Sequence, residues 1–478
     1  MAGIYVHIPF CKTRCDYCDF YSTTLGERLA GIYVEKACGE MRLRRDYLGG
    51  AHVNGVYFGG GTPTRLSIPM LGRLCDCIYD NFEVDKDAEI TVEANPDDLC
   101  DEYVSGLCNL PFNRVSMGVQ SFNDALLAGI HRRHSAAQAE EAFERLRGAG
   151  IGNISIDLIY GLPGETVEQW EADVAKAVEL HPEHISAYAL TYESGTPLYK
   201  RLQAGEIAEA DEELYLLMYG FLTDKLRQAG YEHYEISNFA LVGRRAVLNS
   251  SYWKGEPYIG IGPGAHSYDG TVRRCNIPDV ERYVAAQGDV PHETESLNAG
   301  IRYDEMVMTR LRTCDGLDTG EVERVFGKER YEYLMSNAAP AIKRGLLEEY
   351  ELDGRHIEMY EKVMNIFDAV GLGAFTVVGI DTAVLAGYGR YHFLIIFLGV
   401  ITGVGGGLLR DIMAGETPYI LKKHVYACAS ITGAVLYAYL QDYMNNDVAM
   451  LIGAGSVILI RILAVKYHIS LPNLKGEN

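Results

Sequence analysis

Basic residues are scarce in this 478-residue chain: 43 Lys and Arg stand against 65 Asp and Glu, a formal charge of −22. Holding a nucleic-acid backbone takes a basic surface, so that partner class is excluded. The deficit is uneven. From residue 361 onward there are 8 Lys+Arg and 8 Asp+Glu, so the whole imbalance, 35 against 57, falls in residues 1–360. An acidic, cytoplasmic soluble part therefore precedes a tail of another kind. No secretory signal is seen, because an apolar strand pattern begins at Ile4. The eleven cysteines then read as thiols of a reducing compartment and not as disulfides. No Gly-Lys-Ser/Thr leads into a helix, which removes the usual phosphate loop. No second Cys-x2-Cys pair occurs, which argues against a structural zinc. At this length two or three domains are expected.

What is present organises around residues 4–18, IYVHIPFCKTRCDYC. A buried strand runs into a loop that carries Cys11, Cys15 and Cys18 in the spacing C-x3-C-x2-C. Three thiolates so close together can bind three irons of a [4Fe–4S] cubane and leave the fourth iron open. The amino and carboxylate groups of S-adenosylmethionine (SAM) can chelate that iron. An electron from the cluster can then break the sulfonium bond to give a 5′-deoxyadenosyl radical.

Strand and helix patterns alternate behind this loop. Strand-like runs fall at 56–58, 89–93, 114–120, 154–160 and 184–191, and helix-like stretches at 26–47, 69–81, 98–109, 135–150 and 166–180. Such alternation predicts an α/β fold with a parallel sheet, here a partial (β/α)6 barrel with its site at the C-terminal strand ends. Those ends carry Gly59-Gly60-Gly61-Thr62-Pro63, then Glu93, Gln120 with Arg132 in the following loop, and Asp157. Consecutive glycines let backbone approach a ligand. A single carboxylate there is more often a cap or an ion pair; four polar groups at successive strand ends point to a site.

The motifs YVHIPFCKTRCDYC, FGGGTPT, VEANPDD, SMGVQSF, DLIYGLPGET and GIGPGAHSY resemble the oxygen-independent coproporphyrinogen III oxidase-like branch of the radical-SAM superfamily. Within that branch they are most similar to the HemW-type heme chaperones, over about residues 1–355. The resemblance implies that Cys11, Cys15 and Cys18 ligate the cluster and that Tyr5, Tyr17, Gly60, Gly61, Thr62, Glu93, Gln120, Arg132 and Asp157 contact SAM. It further implies heme as cargo, an acceptor protein for it, and an electron donor for the cluster. The oxidases of this branch carry a further cysteine two places after the third, where this chain has Phe20, and a long N-terminal extension. Both differences favour a chaperone over a coproporphyrinogen dehydrogenase. The family usually has His-Asn-x-x-Tyr-Trp where this chain reads Leu248-Asn249-Ser250-Ser251-Tyr252-Trp253, so a histidine implicated in heme attachment is replaced by leucine. His7 and His266 are the other motif histidines, each more often a structural hydrogen-bonder than a ligand.

Residues 211–229 read as an amphipathic helix and 231–238 as a strand. Helical stretches follow at 302–313, 319–326 and 328–345, and the start of a hairpin at 345–355. These belong to a small helical, winged region, with domains expected at 1–230, 231–357 and 358–478. In the tail, residues 393–409 carry no charge, and runs at 369–389, 425–440 and 448–460 are nearly as apolar. Each approaches the ~20 residues a bilayer crossing needs, which predicts an all-α segment of four transmembrane helices. Lys422, Lys423, Lys466 and Lys475 then place both ends on the cytosolic face of the inner membrane. The stretches beginning Asp368-Ala-Val-Gly-Leu-Gly and Gly403-Val-Gly-Gly-Gly-Leu-Leu-Arg410-Asp411 resemble bacterial glycine-transporter or TRIC-like membrane proteins. That family has seven helices in two repeats of three plus one, of which only the second repeat and the last helix correspond to this tail. A small-solute pathway built from two halves would then need two chains.

Overall fold

Six short apolar runs become six parallel strands in the computed structural model, which describes residues 1–344, 347–350, 356–359, 424–441 and 446–466, with Ile380, Leu394 and 396–398 between them. They are β1 (Ala2–Ile8), β2 (Val53–Gly60), β3 (Val84–Ala94), β4 (Arg114–Gln120), β5 (Ile154–Tyr160) and β6 (His184–Ala189), side by side in that order. Both faces of these strands are largely buried, as a parallel sheet covered by helices requires. The covering helices are α1 (Gly26–Leu43), α2 (Ile68–Asn81), α3 (Asp101–Leu107), α4 (Asp124–Gly129), α5 (Ala136–Gly148) and α6 (Val167–Leu180). Ser135 with Gln138 and Thr166 with Gln169 form capping boxes that start α5 and α6. One expectation is corrected here. Cys38 on α1 and Cys77 on α2 are joined as a disulfide, although the sequence reads all cysteines as thiols. Packing of the two helices brings the Cα atoms to 5.6 Å, a separation that a disulfide spans.

After α7 (Pro197–Gln203) and α8 (Glu212–Gln228) the chain returns to the same sheet on both flanks. The single strand expected at 231–238 is a hairpin, β7 (Glu232–Glu235) and β8 (Asn238–Ala240), with β8 antiparallel to β6. Helix α9 (Val247–Lys254) leads to β9 (Tyr258–Ile261), which runs parallel to β1 with Ile259 opposite Ile4. Three antiparallel strands complete the far edge: β10 (His266–Tyr268), β11 (Val272–Asn276) and β12 (His292–Ser296). The result is an open twelve-stranded sheet, wider than the six-strand barrel expected. β12 (HETES) is exposed at every position and shows no apolar alternation. Its register comes from pairing with β11, where Arg273 stands opposite Glu295 and contacts it at 3.2 Å.

The turn between β9 and β10 is tied to α1 by one buried carboxylate. Glu40 accepts from Gly262 N (3.0 Å), Asn276 Nδ2 (2.8 Å), Tyr283 Oη (2.7 Å) and Arg44 Nη1 (2.8 Å). Tyr283 lies on α10 (Val280–Ala285). Every oxygen of this ion is satisfied, as its burial demands.

By internal packing the chain divides into two compact units, Met1–Ser336 with Glu349–Glu358, and Asn337–Glu348 with Met359–Asn478. In the first, α11 (Ala299–Arg310), α12 (Thr319–Phe326) and the start of α13 (Lys328–Lys343) surround a small core of Tyr303, Leu317, Val322 and Leu334. The expected hairpin is present as β14 (Leu347–Tyr350) and β15 (His356–Met359), and β15 pairs with β13 (Leu317–Asp318). In the second unit the helices His424–Leu440 and Asn446–Lys466 pack together. A Cβ on Gly433 would stand 2.2 Å from Val457, so the glycine permits the close approach. The runs at 369–389 and 393–409 lie almost wholly outside the described residues. Among the described residues no helix is long and apolar enough to cross a membrane, so the expectation of four spanning helices is not met there.

Candidate cofactor and substrate site

All twelve residues singled out in the sequence for cluster and SAM line one cavity of about 990 Å³ at the C-terminal ends of β1–β6. The cysteine loop is hung from the sheet by backbone bonds. Cys11 N donates to Thr23 O (2.9 Å) and Thr23 N to Pro9 O (2.7 Å), closing its base. Gly61 N donates to Ile8 O and Thr62 N to Phe10 O, both at 2.8 Å, stapling the glycine run of β2 to the chain that enters Cys11. A Cβ on Gly61 would lie 2.9 Å from Ile8 O, Phe10 N and Pro9 C, all backbone, so only glycine allows this approach. Thr62 Oγ1 then reaches Cys11 Sγ at 3.6 Å.

Cys11, Cys15 and Cys18 are all unpaired thiols. Burial pushes the Cys11 thiol up and the Cys18 thiol up to about 11. Both hold their protons near neutrality until a metal displaces them. Among the described residues no three His, Cys, Asp or Glu side chains converge on one metal ion.

Arg132 crosses from the loop between α4 and α5 into this wall. Its Nη1 donates to Cys15 Sγ at 3.4 Å, and its Nη2 donates to Asn95 Oδ1 and Gly118 O. Its Nε is buried without a partner, an orphaned donor beside the cysteine loop that suits a ligand carboxylate. Gln120 takes a left-handed φ of 70°, rare outside glycine, where a bulge shifts the register with β5. Tyr17 is enclosed, and burial pushes its phenol above the ordinary range.

Two carboxylates form the floor. Glu93 accepts from Tyr57 Oη (2.8 Å) and Gly60 N (3.1 Å), and Asp157 accepts from Ser116 Oγ at 3.2 Å. Burial, with Asp157 nearby, pushes Glu93 up to about 7; burial likewise raises Asp157. Buried acids so poised are suited to neutral hydrogen-bonding groups of a ligand. The lining, an unpaired guanidinium N–H beside two buried acids that hold their protons more tightly than usual, fits an amino-acid zwitterion joined to a nucleoside. Three free thiols at the mouth fit the cluster.

The same cavity is also lined by Tyr252, Tyr258, Leu248, Asn249 and His266. Leu248 is buried against Gly3 of β1. Motif reading does not anticipate Tyr57, Asn95, Arg114 or Tyr258. Tyr57 and Asn95 sit within or beside motifs as ordinary residues, and Tyr258 reaches the wall only because β9 joins β1.

A radical SAM superfamily model matches residues 5–177, and a glycine transporter model matches residues 365–442. Radical SAM membership implies a [4Fe–4S] cluster and SAM. Among curated proteins the chain is similar to the heme chaperone HemW of Lactococcus lactis, 38% identical over 323 residues that cover 67% of this chain and 84% of that protein. It is 34% identical to HemW of Bacillus subtilis over 355 residues, covering 73% and 94%. Among solved structures it is similar to coproporphyrinogen III oxidase (HemN) from Escherichia coli, a radical SAM enzyme. The TM-score there is 0.65 at 25% identity, over 75% of this chain and 86% of that one.

Proposed function

The chain belongs to the HemW family of heme chaperones, and from that membership we propose that residues 1–357 bind a [4Fe–4S] cluster, SAM and heme, and pass the heme to an acceptor protein. One observation carries the reading. The cavity reaches the upper end of the range for small-molecule sites, roughly 300–1,000 Å³, and its lining combines the thiols, Arg132 and the buried acids with the aromatic and apolar side chains of Tyr252, Tyr258 and Leu248.

In this reading Cys11, Cys15 and Cys18 hold three irons. Arg132 Nε takes the carboxylate of SAM, while Gly60, Gly61 and Thr62 run along it and Glu93 and Asp157 face its hydroxyl and amino groups. Tyr5, Tyr17 and Gln120 close the sides. When bound, the cluster supplies the electron that can cleave SAM, and that electron must come from a separate donor protein. The protein's own residues bind, orient and exclude water; none is assigned a proton transfer. The domain division 1–230, 231–357 and 358–478 belongs to the same reading.

The test is anaerobic reconstitution followed by hemin titration. One heme per chain, with a cluster spectrum that SAM perturbs, supports the proposal; failure to bind hemin while cluster and SAM are bound removes the chaperone.

The HemN likeness favours a second reading, radical-SAM decarboxylation of coproporphyrinogen III. Against it stands Phe20, 64% exposed where the oxidases carry a fourth nearby cysteine.

For the tail we propose a membrane segment like part of a glycine transporter, placed N-in and C-in, that holds the heme-binding part at the membrane. The family match at 365–442 supports this, as does the outward-facing Val435, Leu436, Tyr439, Ile452 and Leu459 of its two described helices. Extraction of native membranes with alkaline carbonate tests it: release of the intact chain into the supernatant would contradict it.

A further inference from the structure

Three histidines line the cavity, His7, His184 and His266, and their ring nitrogens separate them. His7 Nε2 meets the Tyr21 carbonyl at 2.9 Å, so it carries the proton, and Nδ1 takes the Tyr5 hydroxyl at 3.2 Å. His184 is likewise used on both sides, with Ser155 Oγ and Tyr234 Oη each at 2.8 Å. Neither ring has a lone pair to spare. No methionine lines the cavity among the described residues, and its only cysteines are those of the cluster loop.

His266 differs. It stands on β10 directly opposite Cys275 of β11, and its Nε2 lies 3.3 Å from Cys275 Sγ. The thiol has an acceptor for its own proton in the Asn276 carbonyl at 3.5 Å. With the thiol proton directed there, the sulfur accepts from Nε2–H and Nδ1 keeps its lone pair. Metal-bound histidines commonly have this arrangement, one nitrogen on the metal and the other N–H held by a neighbour. The same cavity presents Tyr252 and Tyr258, edge to face at 4.6 Å, and Leu248. These supply apolar and aromatic surface for a planar macrocycle.

We infer that His266 is the axial ligand of the heme iron, through Nδ1, with Cys275 as the positioning residue that holds its ring. The assignment rests on the heme-binding reading above and names the donor that Leu248 cannot provide.

Hemin is titrated anaerobically into the full chain and into His266→Ala, Cys275→Ala and Cys275→Ser. Absorbance and the ferrous–carbonyl spectrum are recorded, and circular dichroism verifies folding. The wild type is expected to saturate with an imidazole-type spectrum. His266→Ala is expected to lose at least tenfold in affinity, with free imidazole restoring the wild-type spectrum. Cys275→Ala, which frees the ring, is expected to lose roughly tenfold, and Cys275→Ser, which keeps an acceptor, to stay near wild type. Wild-type affinity and spectrum in His266→Ala would overturn the ligand assignment and leave heme binding standing. A thiolate-type carbonyl spectrum abolished by Cys275→Ala would also overturn it, making the sulfur the ligand. A wild-type chain that takes up no hemin would overturn the heme reading itself.

Discussion

At the scale of single residues, burial matters as much as identity. Glu93 is enclosed, and its carboxyl is pushed up to about 7, first by burial and then by Asp157. A carboxyl whose folded pKa exceeds its unfolded value of about 4.3 holds its proton more tightly in the folded state. Its contribution is fully present below the unfolded value and is lost as pH rises through about 7. Between pH 5 and 8 the loss amounts to at most about 3 kcal/mol. Glu93→Gln is expected to flatten this dependence, raising the urea midpoint of the cofactor-free chain at pH 8 relative to pH 5. Identical pH profiles for the two proteins would refute the burial argument. Gly61→Ala puts a methyl against three backbone atoms and is expected to cost about 1–3 kcal/mol. Iron and sulfide per chain after reconstitution should fall well below wild type. The three-cysteine loop that lines the cavity was legible because its spacing is short and fixed. Tyr258 and Cys275 were not, since their place depends on β9 and β11 reaching the sheet edge.

Among the elements, those with strong local signals were the most legible. Strands β4 and β5 match the apolar runs residue for residue, and α5 and α6 begin where their capping boxes place them. Helix α9 and strands β9–β12 escaped detection because their stability comes from distant partners. The N-terminal end of α9 is held by Glu89 of β3, whose Oε1 accepts Val247 N at 2.9 Å. The β9–β10 turn hangs on Glu40, more than two hundred residues away in sequence. Removing one partner of such a buried network is costly. Glu40→Ala is expected to destabilise the first unit by about 3–5 kcal/mol, and Glu40→Gln, which keeps an acceptor, by less. Thermal melts followed by near-ultraviolet circular dichroism separate the two variants. Equal melting points for Glu40→Ala and wild type would show that the network carries no stability.

For the molecule as a whole, the uneven charge already divides an acidic first part from a neutral apolar tail, and two compact units are found. The tail was readable as apolar and glycine-rich, and its family match agrees with the resemblance. The four crossings read from its apolar runs are not met among the described residues, each run being near the length a bilayer demands. The central claim concerns the first part, where one cavity is asked to serve as a heme site and not as an oxidase. The most direct measurement sets both activities side by side. The full chain, solubilised and reconstituted anaerobically with iron, sulfide and SAM, is divided between a hemin titration and a coproporphyrinogen III turnover assay with a chemical reductant. The account predicts one heme bound per chain and no decarboxylated product. Turnover of coproporphyrinogen without retention of heme would contradict it and make this chain an oxidase that works with Phe20 in place of the fourth cysteine.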